Sequence, residues 1–152
     1  MTAVATSDWI ARAESVEPRN EAFIDGRFVP AASGRTYDDI AGRDGSVITQ
    51  VAEGGIEDID RAVAAARASF EDRRWADMSP AKRKIILLKL AESMRASREE
   101  LALLESLDVG KPIRDALSID IPSAAKTIQW YAETIDKVYG EVGPTGPRRC
   151  RS

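Results

Sequence analysis

The chain has 152 residues, of which 43% are apolar and 31% are charged, and its net charge is −3. This is the composition of an ordinary globular protein of single-domain length, without the excess positive charge that binds nucleic acid. No apolar run approaches the roughly 20 residues of a membrane-spanning helix, and the N-terminus does not have the pattern of a signal peptide. We therefore expect a cytoplasmic protein that binds neither nucleic acid nor membrane.

The sequence contains no histidine and a single cysteine, Cys150. The absence of histidine removes the commonest general base and transition-metal ligand, which argues against zinc sites and Ser-His triads. One cysteine cannot form an internal disulfide, in agreement with a reducing compartment. The remaining candidates for a covalent nucleophile are Cys150 and a desolvated lysine.

The first third of the chain is predicted to consist of β-strands after a short helix around Trp9–Glu14. The segment Phe23–Val29 contains Asp25-Gly26, a dipeptide that tolerates the positive φ angles of a type I′ hairpin turn. A second pair of extended segments, Thr36–Ile40 and Val47–Val51, flanks a glycine-containing turn. The pattern therefore predicts two hairpins.

The first long helix is predicted over Asp58–Glu71. Its apolar residues recur at steps of four, three and four, which places them on one helical face: Ile59, Val63, Ala66 and Phe70.

The next helix is predicted to begin at Ser79-Pro80, an N-cap hydroxyl followed by a proline at the first helical position. Its apolar stripe is expected to face inward: Ile86, Leu87, Leu90 and Met94. Its basic side chains are expected to stay in water: Lys82, Arg83, Lys84 and Lys89.

The sequence Ser97–Glu100 has the pattern of a capping box and predicts a third helix that ends near Asp108. Gly110 supplies a left-handed stop, and Pro112 prevents simple continuation. A last helix is predicted with Pro122 in its first turn. Its end is placed at Gly140, after apolar positions spaced by three or four: Ala125, Ile128, Ala132, Ile135 and Tyr139.

Residues 142–152 have neither helical nor strand periodicity and are predicted to be a disordered tail. The predicted organisation is therefore an N-terminal segment over residues 1–20, a folded part over residues 21–141, and the tail.

The strings Phe23–Val29, Asp58–Arg67 and Leu107–Pro112 resemble the N-terminal landmarks of the aldehyde dehydrogenase family, in the same order and spacing. Further strings are similar to γ-glutamyl-γ-aminobutyraldehyde dehydrogenases: Ser79–Lys84, Asp120–Pro122, and Trp130–Glu133 through Asp136–Glu141. The resemblance implies an α/β parent fold, of which this chain supplies the opening hairpins and several amphipathic helices.

Members of this family oxidise an aldehyde through a cysteine thiolate, pass hydride to NAD or NADP, and use a glutamate to activate water. We find none of those motifs in this sequence and therefore expect no catalytic residue, no cofactor-binding residue and no bound cofactor in the chain alone. The resemblance implies a truncated or frameshifted N-terminal portion, which would meet an aldehyde substrate only in full-length form.

Some family members hold a structural monovalent cation, and the matching positions here are the Ile40 carbonyl and the Asp108 carboxylate. Hard oxygen ligands suit such an ion. The alternative is that Asp108 merely ends a helix.

Other reactive residue types have structural explanations. Cys150 lies among arginines that would lower its pKa, but an unstructured terminus cannot hold a nucleophile in position. Lys111 suggests an anion site, although a turn without a glycine-rich phosphate loop is favoured. Acidic pairs suggest acid-base chemistry, although two of the three pairs lie at predicted helix starts, where they complement the helix dipole: Asp38-Asp39, Glu57-Asp58 and Glu99-Glu100.

Two alternatives to an inactive enzyme portion remain. A non-catalytic interaction module would use its strand edges and helical faces to bind aldehyde dehydrogenase subunits or another partner. A complete small enzyme would need a nucleophile and a base that the sequence does not reveal.

Overall fold

A computed structural model of the chain describes residues 6–139. It begins with helix α1, Thr6–Ser15, and continues with two separate antiparallel hairpins. The first pairs β1 (Ala22–Ile24) with β2 (Arg27–Val29), and the second pairs β3 (Thr36–Ile40) with β4 (Val47–Ala52). Both predicted hairpins and the N-terminal helix are therefore confirmed.

Asp25 and Gly26 form the turn of the first hairpin. Both have positive φ angles, 50° and 75°, as a type I′ turn requires. The turn sets Phe23 opposite Phe28, and their rings lie 5.0 Å apart at the centroids. The local Asp-Gly signal in the sequence thus determines the hairpin register.

The rest of the described chain is helical. The helices are α2 (Ile56–Glu71), α3 (Pro80–Ala96), α4 (Arg98–Val109), α5 (Ile113–Asp115) and α6 (Ile121–Thr134), with a π-helical turn over Ala116–Asp120 between the last two. Helix α3 packs against α6, and α4 packs against the π-helical turn. No helix in residues 6–139 is long and apolar enough to cross a membrane.

The core of the described part is built mainly from small side chains. Its buried apolar residues are Ala31, Ala41, Ala91, Ala102, Leu103, Ala116, Ala125 and Ala132. No larger side chain within residues 6–139 is fully buried. Alanine lets helix backbones approach closely, but it contributes little apolar area to stability.

The inward direction predicted for the α3 stripe is wrong for two of its residues. Ile86 and Leu90 are 42% and 47% exposed. Ala91 is the fully buried residue of α3, while Leu87 and Met94 are half-buried. Periodicity identified the apolar stripe but could not show which of its residues meet a neighbour within this chain.

Lys84 is also less solvated than predicted. Its side chain is 27% exposed, and its Nζ lies 3.1 Å from Asp136 Oδ2, beyond the end of α6. Two basic groups surround this carboxylate, since Lys137 lies 3.0 Å from the other oxygen. The hydrogen bond from Lys137, which has the largest effect, and the one from Lys84 lower the pKa of Asp136 from its ordinary 3.8 to about 2.

The capping box predicted at Ser97 is not formed. The Ser97 side chain makes no cap bond, and its backbone N–H, which the Glu100 carboxylate would have to accept, donates to the Ser93 carbonyl at 3.0 Å and so completes α3. Ser97 is the single residue between α3 and α4. Ser79 behaves as predicted, since its hydroxyl accepts a hydrogen bond from the Lys82 amide at the start of α3.

Helix α6 is shorter than predicted. It ends at Thr134, and Lys137 donates its amide to the Thr134 carbonyl at 2.9 Å in a tighter turn. Tyr139 is 85% exposed, so it does not continue a packed stripe. The predicted end at Gly140 and the predicted disordered tail lie outside the described residues.

Candidate functional site

The turn after β3 meets the end of α4 through two glycines. The amide of Gly42 donates a hydrogen bond to the Asp108 carbonyl at 3.1 Å. A Cβ on Gly42 would lie 2.9 Å from the carbonyl carbon of Val109, and one on Gly110 would lie 3.0 Å from the carbonyl carbon of Gly42. Gly110 has φ +71°, the left-handed stop predicted from the sequence. Side chains are therefore excluded from this backbone contact.

This contact brings together the chain segments that contain the two predicted cation ligands. Ile40 ends β3, two residues before Gly42, and Asp108 is an exposed residue of α4. Asp108 lines a cleft of about 920 Å³ together with Asp39, Glu100 and Glu105. Within residues 6–139 no three histidine, cysteine, aspartate or glutamate side chains are grouped to hold a metal ion. A cation site formed by the Ile40 carbonyl and the Asp108 carboxylate stays a prediction.

Lys111 forms an ion pair in the turn between α4 and α5. Its ammonium contacts Asp120 at the end of the π-helical turn, and its carbonyl accepts a hydrogen bond from the Ser106 hydroxyl at 2.6 Å. The bond to Asp120 raises the pKa of Lys111 above its usual 10.5. A lysine held protonated is a poor nucleophile, so this geometry favours the structural interpretation of the turn.

Asp58 is a buried carboxylate whose role the sequence did not reveal. It is 4% exposed. Its two oxygens accept hydrogen bonds from the Gly55 amide at 2.9 Å and the Ala32 amide at 3.0 Å, and Arg61 forms an ion pair with it. Asp58 thus caps the N-terminus of α2 and ties this helix to the loop after β2. The sequence did show an acidic residue in the first turn of a helix, but no nearby residue indicated that the Ala32 amide would be its partner.

The charge of Asp58 should make α2 sensitive to acid. Hydrogen bonds from Gly55 first, then Arg61 and Ala32, lower the pKa of Asp58 below its ordinary 3.8. The pKa of Asp58 is lower in the folded chain than in the unfolded chain. The ionised carboxylate therefore stabilises the fold fully above the ordinary pKa, and this stabilisation is lost as pH falls through the folded pKa. We expect Asp58→Asn to lower the helical circular dichroism signal at pH 7 and to flatten its decline below pH 4. A variant that matches the unsubstituted chain at both pH values would contradict this assignment.

Glu57 and the Glu99-Glu100 pair have the helix-start role that was expected of them. Glu57 and Glu99-Glu100 lie in the first turns of α2 and α4, where they complement the helix dipole. Asp38 accepts a hydrogen bond from Gln50 across the second hairpin. Cys150 lies outside the described residues.

Helix α2 has an exposed apolar face. Ile56, Ile59, Val63 and Phe70 are 84%, 60%, 60% and 72% exposed. The sequence analysis placed Ile59, Val63, Ala66 and Phe70 on one face. In the structure the three larger residues are exposed, whereas Ala66 lines a hollow against the turn of the first hairpin. The structure also shows that the exposed face is not covered by any part of the described chain.

The sequence model of the aldehyde dehydrogenase family matches residues 28–151. The NADP/NAD-dependent aldehyde dehydrogenase PuuC of Escherichia coli (strain K12) is 50% identical over 137 residues, which are 90% of this chain and 28% of that protein. The crystal structure of the γ-glutamyl-γ-aminobutyraldehyde dehydrogenase from Burkholderia cenocepacia is 47% identical, with a TM-score of 0.89 over 92% of this chain and 28% of that one.

An indole-3-acetaldehyde dehydrogenase solved with NAD+ has a TM-score of 0.92 and 42% identity over 95% of this chain, and 29% of its own chain is covered. This chain therefore spans less than a third of the length of each of these relatives. The family match includes helices α2 to α6 and all of the second hairpin. On the basis of sequence and backbone together, the chain belongs to the aldehyde dehydrogenase family.

Proposed function

We propose that the chain acts as the N-terminal structural part of an NAD(P)-dependent aldehyde dehydrogenase and is catalytically inactive alone. The observation that carries this proposal is the combination of a core made mainly of alanine with large apolar side chains on its surface, exemplified by Val63 and Phe70. Such surfaces are normally covered by further protein. In the cytoplasmic enzyme, the helices of this chain would pack on the surface of the cofactor domain and contribute to the contacts between subunits.

For the complete enzyme we propose γ-glutamyl-γ-aminobutyraldehyde as the substrate, oxidised to its carboxylic acid with NAD or NADP. The support is the 47% identity to a crystallised enzyme named for that aldehyde. PuuC, which is named as an NADP/NAD-dependent enzyme, has a similar sequence identity of 50% to this chain and supports the use of either cofactor. Through this substrate the proposal also includes a role in putrescine degradation.

A chimera tests the proposal. Residues up to Pro147 would be joined to the part of Escherichia coli PuuC that follows its matched segment. We expect a soluble protein that binds NAD+ and oxidises γ-glutamyl-γ-aminobutyraldehyde, because the helices and turns of this chain keep the family backbone. Persistent insolubility of the chimera, or a folded chimera without cofactor binding, would count against the proposal.

The same chimera tests the glycine contact between β3 and α4. Gly42→Ala should lower the free energy of unfolding by about 1–3 kcal/mol, because the added methyl group must displace the Val109 backbone. Denaturant unfolding measures this change. Gly54→Ala is the matched control, since its Cβ would meet only Asp58 Cβ at an ordinary 3.8 Å. Equal stability of the two variants would show that the contact is looser than described.

The alternative of a non-catalytic interaction module uses the same exposed faces. It requires a chain with a closed core of its own, whereas the proposal above does not. The thermal behaviour of the isolated chain therefore discriminates between the two.

A further inference from the structure

The sequence contains two Asp-Gly dipeptides, Asp25-Gly26 and Asp44-Gly45. Each lies in the turn of a hairpin, and both glycines have a φ of +75°. In such a dipeptide the backbone amide of the glycine is close to the carboxyl group of the preceding side chain, and no glycine side chain hinders its approach. The amide nitrogen can therefore attack the aspartate carboxyl carbon. The two turns offer the same reaction in different surroundings.

Both reacting groups of Asp44-Gly45 are held by other partners. The Asp44 carboxylate accepts hydrogen bonds from the Ser46 hydroxyl at 2.6 Å and the Ser46 amide at 3.0 Å, and Arg43 pairs with it at 2.6 Å. The Gly45 amide donates to the Ala41 carbonyl at 2.9 Å. All of these bonds lie within residues 41–46, so they do not depend on packing of the core.

The same bonds keep the Asp44 carboxyl group ionised. The hydrogen bond from the Ser46 hydroxyl, which has the largest effect, and the one from Arg43 lower the pKa of Asp44 well below its ordinary 3.8. The protonated carboxyl group, from which a hydroxyl can leave as water, is therefore scarce at this position.

Neither reacting group of Asp25-Gly26 is held in this way. Within residues 6–139 the Gly26 amide donates no hydrogen bond, and the Asp25 carboxylate accepts none. Asp25 interacts at longer range with Arg74, whose guanidinium is already bound to Asp72. Asp25 is exposed, and a Cβ on Gly26 would meet nothing within 4 Å.

The first hairpin is also short enough to open. Strands β1 and β2 have three residues each and form a sheet of their own. An isolated two-stranded hairpin is only marginally stable in water, so its turn opens locally. Opening frees the Gly26 amide from the direction that the type I′ turn imposes and lets it rotate towards the Asp25 carboxyl carbon.

We propose that Asp25 is a modification site at which the chain isomerises spontaneously to isoaspartate, and that the hydrogen bonds around Asp44 protect the second Asp-Gly dipeptide from this reaction. The proposal does not depend on the proposed function.

The reaction balances without an oxidant, a reductant or a metal. The Gly26 nitrogen attacks Cγ of the protonated Asp25 carboxyl group, so that an N–Cγ bond forms and the Cγ–OH bond breaks. The hydroxyl leaves with the amide proton as one water, and a succinimide ring results. Water then opens this ring. Cleavage of the N–Cγ bond restores aspartate, whereas cleavage of the bond between the nitrogen and the α-carbonyl carbon leaves isoaspartate of unchanged mass.

Isoaspartate would alter the first hairpin, because the main chain then passes through Cβ of residue 25. The two-residue turn gains one main-chain atom, and this turn sets Phe23 opposite Phe28. Asp25 and Gly26 also line the hollow against α2. The modification would therefore act on the contact between the hairpin and this helix.

The test incubates the full chain in buffer at pH 6 and 37 °C. Trypsin then releases the two dipeptides in separate peptides, residues 20–27 and 44–61, in which isoaspartate changes the chromatographic retention but not the mass. We expect about tenfold more isoaspartate in 20–27, because groups held by other partners cannot reach the attack geometry. In concentrated urea, which removes both turns, the two peptides should convert to within about twofold of each other.

Two variants identify the reacting groups. Asp25→Glu keeps the charge but would require a larger ring, and it should remove most of the methyl label that protein isoaspartyl methyltransferase transfers to the intact chain. Ser46→Ala removes the hydroxyl bond to Asp44 and should raise the isoaspartate in 44–61 about threefold or more. Ser93→Ala, on the exposed side of α3, is the matched control and should leave both peptides unchanged.

Four results would each overturn the proposal. They are equal conversion of the two peptides in buffer, no isoaspartate in 20–27 in buffer, a tenfold difference that persists in urea, and an unchanged 44–61 peptide in Ser46→Ala. Methyl label that remains in Asp25→Glu at the level of the unsubstituted chain would also overturn it, since the modified residue would then lie elsewhere.

Discussion

The purified chain is expected to produce no reduced nicotinamide from γ-glutamyl-γ-aminobutyraldehyde or simple aldehydes, with either NAD+ or NADP+. Enzymes commonly accelerate reactions by a factor of about 10⁶ or more, and here the whole acceleration should be missing. The chain has no histidine. Lys111 is kept protonated by Asp120, so it cannot replace a thiolate as nucleophile.

Absorbance of the reduced cofactor measures this result, and the chimera with PuuC serves as the positive control. Cys150→Ser provides the decisive comparison for the isolated chain, since Cys150 is its only thiol. We expect both forms to stay at the rate measured without protein. Cofactor-dependent turnover that disappears in Cys150→Ser would overturn the prediction and establish a small enzyme.

Local signals in the sequence predicted the local structure of this chain well. Asp25-Gly26 specified the hairpin turn because few other dipeptides accept two positive φ angles. Ser79-Pro80 marked the start of α3, and Gly110 marked the end of α4. In each case the physical cause lies within a few residues, so the sequence alone contains it.

Long-range partners could not be predicted in the same way. Asp58 reaches Ala32 across 26 residues, and Gly42 meets Asp108 across the fold. Helix α5 and the π-helical turn after it were also missed, because the sequence analysis assigned no helix between the turn at Pro112 and the helix that has Pro122 in its first turn. The capping box at Ser97 failed because α3 extends to it and uses its amide.

The sequence did not show which neighbour the apolar stripe of each helix would face. Periodicity groups Ile59, Val63 and Phe70 on one face but does not reveal what covers that face. In this chain Ala62 and Ala65 lie towards the hairpin instead. Only the tertiary arrangement shows that the larger residues are available to a partner.

The isolated chain should form a loose helical state without a cooperative melting transition. Val63 and Leu90 are 60% and 47% exposed, while Leu104 and Ile128 on the other helices are only partly buried. Full burial of one large aliphatic side chain is worth about 1.5–3 kcal/mol, and the net stability of a domain is only about 5–15 kcal/mol. Several large apolar side chains that stay partly exposed are therefore enough to remove the net free energy of unfolding.

Far-ultraviolet circular dichroism should show helix, because helical hydrogen bonds persist when specific packing is lost. The thermal transition should be broad, and a hydrophobic dye should bind at room temperature to faces such as that around Val63 and Phe70. The chimera is the matched control, in which these faces are covered and the dye should not bind. A sharp two-state transition of the isolated chain without dye binding would show that its alanine-rich core is sufficient, which favours an independent interaction module over a structural part of the enzyme.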